Sequence, residues 1–252
     1  MRVLNRAFDQ TMELEERAAD PLAGGLQQGY QCGMLWGAAL AAGAQAYRIW
    51  GATPQAQAKA MIASQKIVES FRTQNKNINC LEITEIDLSS PTMRMVARYL
   101  IKSSAKGSCF GMAARSASAA LREINATFSD NHFQAPIAPV SCATMLAQKM
   151  GASELHTVMA TGFAGGIGLS GGGCGVLGAA IWLHGMKLLE KGGTIGYNAP
   201  YASDITDKFL ESSDYEFECA KIVGRQFENV DDHADHLYKG GCSKIIEALT
   251  TA

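Results

Sequence analysis

"GFAGGIGLSGGGCGVLGAAIWL", Gly162 to Leu183, is the stretch on which the reading of this chain turns. Glycine crowds both sides of one cysteine, Cys174, and an apolar run follows. Three explanations compete: a loop that cradles phosphate, a membrane-associated helix, and a backbone-lined pocket for whatever Cys174 holds. A phosphate loop of the dinucleotide-binding kind needs a strand before its glycines, whereas "SELHTVMAT", Ser153 to Thr161, reads as a helix. No Walker-type Lys-Ser/Thr pair follows the glycines. The apolar run from Cys174 is broken by His184 and Lys187 after about ten residues, short of the roughly 20 that cross a bilayer, so no membrane span is expected. What remains is a Gly/Ala-rich core helix beside a cysteine pocket.

The chain has 252 residues, enough for a core of ordinary size. Its net charge of -2 lacks the basic footprint that nucleic-acid binding requires, which sets nucleic acid aside as a partner. The opening "MRVLNRAFDQTMELEERAAD" is charged and amphipathic, with no apolar h-region and no small-residue cleavage site, and the expected location is cytoplasmic. Seven cysteines, an odd number in a reducing compartment, are then free thiols or metal ligands rather than a disulfide framework.

Apolar residues recur at helical spacing along nearly the whole chain, and no run of alternating β-branched residues stands out. Helix starts are marked by Thr53 before Pro54, Ser90 before Pro91, Ser153 before "ELHTVMA" and Ser203 before "DITDKFL". The expected fold is all-α, with about ten helices joined by Gly-rich turns.

An internal repeat makes the glycines informative. "LAGGLQQGYQCGMLWGAAL", Leu22 to Leu40, matches "FAGGIGLSGGGCGVLGAAIW", Phe163 to Trp182, with one residue inserted. "FRTQNKNINC", ending at Cys80, parallels "FLESSDYEFEC", ending at Cys219; "KGSC", ending at Cys109, parallels "KGGC", ending at Cys242. Three anchors in one order, each ending on a cysteine, identify a duplicated helical domain with two pseudo-symmetric halves, residues 1–128 and 129–252, expected to form one compact unit. Cys32, Cys80 and Cys109 correspond to Cys174, Cys219 and Cys242. Cys142 has no partner, because its counterpart would fall just before Met1.

Cys32 and Cys174 fall at the predicted first turn of a helix, where free amides and the helix dipole favour a thiolate; Cys109 and Cys242 do the same after their Lys-Gly turns. Thiolates are the ligands of soft metal centres. Gly33, Gly173 and Gly175, flanking the cysteines, let backbone amides come close to sulfur or bridging sulfide, which tunes an iron-sulfur centre. Cys142, Cys174, Cys219 and Cys242 complete the ligand set of a [4Fe-4S] cluster, the favoured reading, or of a [2Fe-2S] cluster. They also complete a tetrahedral zinc site, but the close Cys pairs usual in structural zinc sites are missing. Without CxxCH no c-type haem is expected, and without CxxC no thioredoxin-type exchange.

The order Cys142, "GCGVLGA" at Gly173 to Ala179, Cys219 and Cys242 resembles the redox-active family named for its C-GCAxxG-C-C cysteine arrangement. The resemblance runs from about Val140 to Leu249 in the second half. In the first, "CGMLWGA", Cys32 to Ala38, fits the family's Cys-Gly-x-x-x-Gly core, whereas Ala179 stands at the last glycine of the second. A related module occurs in split-Soret cytochromes, which are helical and carry an iron-sulfur centre beside haem. The resemblance therefore implies an iron-sulfur cluster without the haem. The three-cysteine half could leave one iron open to a small molecule, and so to reductase chemistry. Alternatively, all seven thiolates converge on one larger cluster or on two close ones.

Other residues are read as structural. His233 and His236 in "DDHADH" are three apart, but the flanking aspartates favour a solvated surface turn. His184 is read as a buried, hydrogen-bonded core residue and Trp36 and Trp182 as core, while Tyr197 and Tyr201 sit in a turn-forming "GYNAPYASD" loop. No Ser/His/Asp set supports a hydrolase. The second functional class is a zinc-binding or metal-handling protein without redox activity. The redox partner is not legible, and the small-residue face "GAALAAGAQA", Gly37 to Ala46, allows close helix packing within the chain or across a homodimer.

Overall fold

The computed structural model describes residues 1–87, 109–130 and 141–251. Two of the marked helix starts are true N-caps: the Thr53 hydroxyl accepts from the Ala56 amide at 3.2 Å, and the Ser153 hydroxyl accepts from the His156 amide at 3.1 Å. Ser90 and Pro91 lie outside the described residues. The Ser203 start is corrected. That helix opens three residues earlier at Pro200, whose fixed φ suits a first helical position, and Ser203 lies within it.

Among the described residues the fold is all-α, with thirteen α-helices and no strand. The first half supplies α1 (Arg2–Ala7), α2 (Glu13–Ala18), α3 (Gly33–Trp50), α4 (Pro54–Asn75), α5 (Cys80–Thr84) and α6 (Cys109–Ser129). The second supplies α7 (Cys142–Lys149), α8 (Glu154–Ala160), α9 (Gly175–Glu190), α10 (Pro200–Ser212), α11 (Cys219–Val223), α12 (Val230–Tyr238) and α13 (Ser243–Thr250). The duplication extends to the backbone. Gly24 and Gly25 turn at φ +68° and +67° before α3, and Gly165 and Gly166 at +62° and +76° before α9. Even the following apolar residues match, Leu26 at +59° and Ile167 at +62°.

The halves share one core. The small-residue face of α3 is turned inward, and a side chain on Gly43 would come within 2.5 Å of the Met159 Cα in α8. Trp36 of α3 lies across Gly178 of α9 and meets Phe163 edge-on at 4.8 Å. Trp36, Leu35, Leu40 and Met61 are completely or almost completely buried, and each such apolar side chain contributes about 2 kcal/mol or more on removal from water. Across the same boundary the His156 Nε2–H of α8 donates to Glu15 of α2 at 3.2 Å, and the Trp182 indole of α9 donates to the Glu15 carbonyl at 3.2 Å.

The His156 hydrogen bond holds the Glu15 carboxyl below its ordinary 4.5. Its stabilisation is therefore complete above that value and is lost as pH falls through the lower, folded-state value. Glu15→Gln is expected to cost ~1 kcal/mol at neutral pH, because the pair is largely buried but the amide oxygen of Gln can still accept from His156. The difference from the parent in thermal unfolding should close as pH drops below 4.5; a gap constant with pH would disprove the ionic contribution.

Candidate metal centre

Each half clamps two of its cysteines with the same pair of backbone hydrogen bonds. In the first, the Cys32 amide donates to the Ile78 carbonyl at 2.8 Å and the Cys80 amide donates to the Tyr30 carbonyl at 2.7 Å. In the second, the Cys174 amide donates to Phe217 at 3.0 Å and the Cys219 amide to Gly172 at 2.7 Å. In both, the partner carbonyl lies two residues before the other cysteine. The residues immediately before the cysteines pair as isolated antiparallel bridges, Gln31 with Asn79 and Gly173 with Glu218. Cys32 and Cys174 then cap α3 and α9, and Cys80 and Cys219 open the short helices α5 and α11.

Backbone amides of the first helical turn reach the sulfurs: Met34 donates to Cys32, and Leu177 and Val176 to Cys174. Their effect on ionisation is smaller than that of burial. Desolvation pushes both thiols up to about 12, so the expected stabilisation of a thiolate by the helix start is overridden. Burial likewise raises Cys80 and Cys219, reinforced by Cys109 in the first case and by Cys174 and Cys142 in the second. Cys142, on the first turn of α7, is different. Hydrogen bonds from Cys242, His233 and the Gly165 amide hold it well below the usual thiol range, while the bond shared with Cys142 pushes Cys242 up.

The seven sulfurs thus fall into two sets, with interactions within each set: Cys32, Cys80 and Cys109 in the first half, and Cys142, Cys174, Cys219 and Cys242 in the second. Cys109 and Cys242 are partly exposed, the other five buried. Among the described residues, no group of three or more His, Cys, Asp or Glu side chains already stands in the arrangement of a closed metal-ion site.

The glycines owe their place largely to packing. A side chain on Gly175 would overlap the Phe163 carbonyl, one on Gly168 the Gln65 amide of α4, and one on Gly33 would lie 2.9 Å from the Ala23 Cα. Gly172 leaves room for a side chain from the other half, Gln31. Buried Gln31 donates to the Gly166 carbonyl at 2.8 Å and accepts from the Gly173 amide at 2.7 Å. A residue adjoining Cys32 therefore holds both ends of the glycine loop that leads to Cys174. Gln31→Leu should orphan these two buried groups and lower stability in denaturant by ~2 kcal/mol or more, and a loss under half of that would show that water replaces the amide.

The histidine reading is corrected. Asn229 accepts from the Asp232 amide at 2.9 Å and caps α12, so the aspartates form an acidic first turn rather than a solvated surface turn. His233 is fully buried beside Phe227, and His236 Nε2 lies 3.8 Å from Cys242 Sγ. The missed signal was periodic: Val230, His233, Ala234 and Leu237 share the buried face. Tyr201 belongs to α10 rather than to a loop. Tyr197 remains in the connection, with its hydroxyl raised by burial and by nearby Cys80. His184 is half-buried and bonds the Ala180 carbonyl of its own helix at 3.1 Å, while Trp182 is core as expected.

No helix among the described residues is long and apolar enough to cross a membrane. No curated protein and no solved structure matches the chain. A family described as "Putative redox-active protein (C_GCAxxG_C_C)" matches twice in succession, over residues 1–124 and 140–252. With two copies of its cysteine clamp and two matches that together span nearly the whole length, the chain belongs to this redox-active family as an internal duplication.

Proposed function

We propose that the protein carries iron-sulfur clusters and does one-electron or two-electron redox work with them. Cys142, Cys174, Cys219 and Cys242 would hold one cluster, [4Fe-4S] being favoured, and Cys32, Cys80 and Cys109 a second. The observation that carries this reading is the repeated clamp, which sets matching buried thiols against amide-lined glycine loops in both halves. The donor set fits: buried thiols raised by desolvation give up their protons to solvent when a multivalent cation takes their place, and soft sulfur selects iron-sulfur or zinc. A bound cluster supplies reversible electron storage, while the chain positions the sulfurs, shields them from water and directs amides at Cys32, Cys142 and Cys174.

The fourth position of the first set is where reductase chemistry on a small molecule would occur. A reducing compartment such as the cytoplasm and a protein redox partner complete this reading. One observation favours the alternative, a zinc-binding or metal-handling protein: His233 and His236 add nitrogen donors beside Cys142 and Cys242.

Anaerobic purification followed by iron, sulfide and zinc analysis separates the two. Matching iron and sulfide, with visible absorption that bleaches on reduction, supports clusters. Zinc without sulfide, in a colourless protein, establishes the alternative.

A further inference from the structure

A cleft of about 640 Å3 opens between the first glycine loop and α10, within the roughly 300–1,000 Å3 typical of small-molecule sites. Its wall includes Tyr30 and Phe217, one from each half, stacked in parallel with ring centroids 4.2 Å apart and planes 1° apart. Each ring is built into a cysteine clamp. Tyr30 lies two residues before Cys32 and takes the Cys80 amide on its carbonyl; Phe217 lies two before Cys219 and takes the Cys174 amide. The cleft thus adjoins the point where the two sulfur sets are joined through backbone and ring stack.

We infer that this cleft binds a small, uncharged, planar redox molecule of the quinone class, an inference that rests on the redox reading above for its electron transfer but not for its binding. Aromatic walls favour a flat ring. Gln28, Asn198 and Ser203 offer amides and a hydroxyl that a ring carbonyl accepts from, as does the second amide hydrogen of Gln27, whose first is given to the Tyr197 carbonyl. Among the described lining residues the one charge is that of Asp207, with no lysine, arginine or histidine, which disfavours phosphate-bearing cofactors and other anions. The stoichiometry also suits two one-electron sites. Reduction of a quinone to the hydroquinone takes two protons from water and two electrons, one from each reduced half, which is thereby oxidised by one electron.

Duroquinone, whose fully substituted ring leaves no carbon open to simple thiol addition, serves as the probe. Equilibrium dialysis against the chain as purified should show saturable binding of one molecule per chain. Ser203→Trp and Gln28→Trp, at exposed positions on opposite walls, should each weaken it tenfold or more while thermal unfolding and metal content stay unchanged. Absence of saturable binding, or binding that neither variant weakens, overturns the site. With chemically reduced protein freed of reductant, reoxidation by duroquinone should slow tenfold in the variants, whereas reoxidation by ferricyanide should not; equal slowing by both, or by neither, overturns the cleft as the quinone's point of reaction. A chain that holds no redox metal defeats the redox proposal, and dialysis still decides the cleft.

Discussion

Gly175→Ala is expected to lower stability by ~3 kcal/mol, which for a chain of this size corresponds to a fall of roughly 10 °C in melting temperature. The added methyl meets the Phe163 carbonyl oxygen, with the Ala164 nitrogen 3.3 Å away. Both are backbone, so relief requires moving the loop or the first turn of α9. Either movement shifts Cys174, because its amide is bound to Phe217 and its sulfur takes hydrogen bonds from Val176 and Leu177. Lost stability should therefore come with lost metal. Gly196→Ala is the control: nothing lies within 4 Å of the methyl site and φ is ordinary, so its effect should stay within ~0.5 kcal/mol. Differential scanning calorimetry of the two variants decides the matter. Equal melting temperatures would show that the loop yields at little cost and that its glycines are not packing devices.

The cysteine register was readable because the chain contains its own comparison. Two copies aligned against each other exposed Cys32 with Cys174, Cys80 with Cys219 and Cys109 with Cys242, and the matching hydrogen bonds put the first two of these pairs in equivalent places. Helix starts were readable where a side chain caps an amide, at Thr53 and Ser153, and misplaced at Ser203, where Pro200 opens the helix with no capping side chain. Gln31 gave no signal. Its partners lie 135 and 142 residues away, and no local period reports a side chain that crosses between halves. His233 and His236 were misread because the sign of "DDHADH" depends on whether Asn229 caps a helix, which turns the aspartates into first-turn residues and the histidines inward. The thiol ionisation was misjudged for a different reason. Helix starts are legible in sequence, but the desolvation that overrides them depends on what the rest of the chain packs around Cys32 and Cys174.

Cys142→Ala is expected to remove the metal of the second half, which is roughly half of the total iron if the two halves carry equal clusters. Cys142 has no counterpart in the first half, yet its sulfur is engaged by Cys242, His233 and the Gly165 amide. Its loss leaves three buried or partly buried groups facing a methyl, so the metal-free chain should also lose ~2 kcal/mol. Cys142→Ser restores a hydrogen-bonding atom and should recover most of that stability without recovering iron, because a hydroxyl is a poor substitute for soft thiolate. Cys32→Ala provides the complementary measurement, reducing only the share held by Cys80 and Cys109. Iron and sulfide analysis with calorimetry reads all three. Full iron in Cys142→Ala would defeat the four-thiolate assignment, and full iron in Cys32→Ala would show that the three-cysteine half has kept the clamp but no longer holds metal. If the two variants each lose all the iron, the halves load as one unit, and the contacts across them, among them the Gln31 hydrogen bonds to the loop before Cys174 and the Tyr30–Phe217 stack, are where that coupling is to be sought.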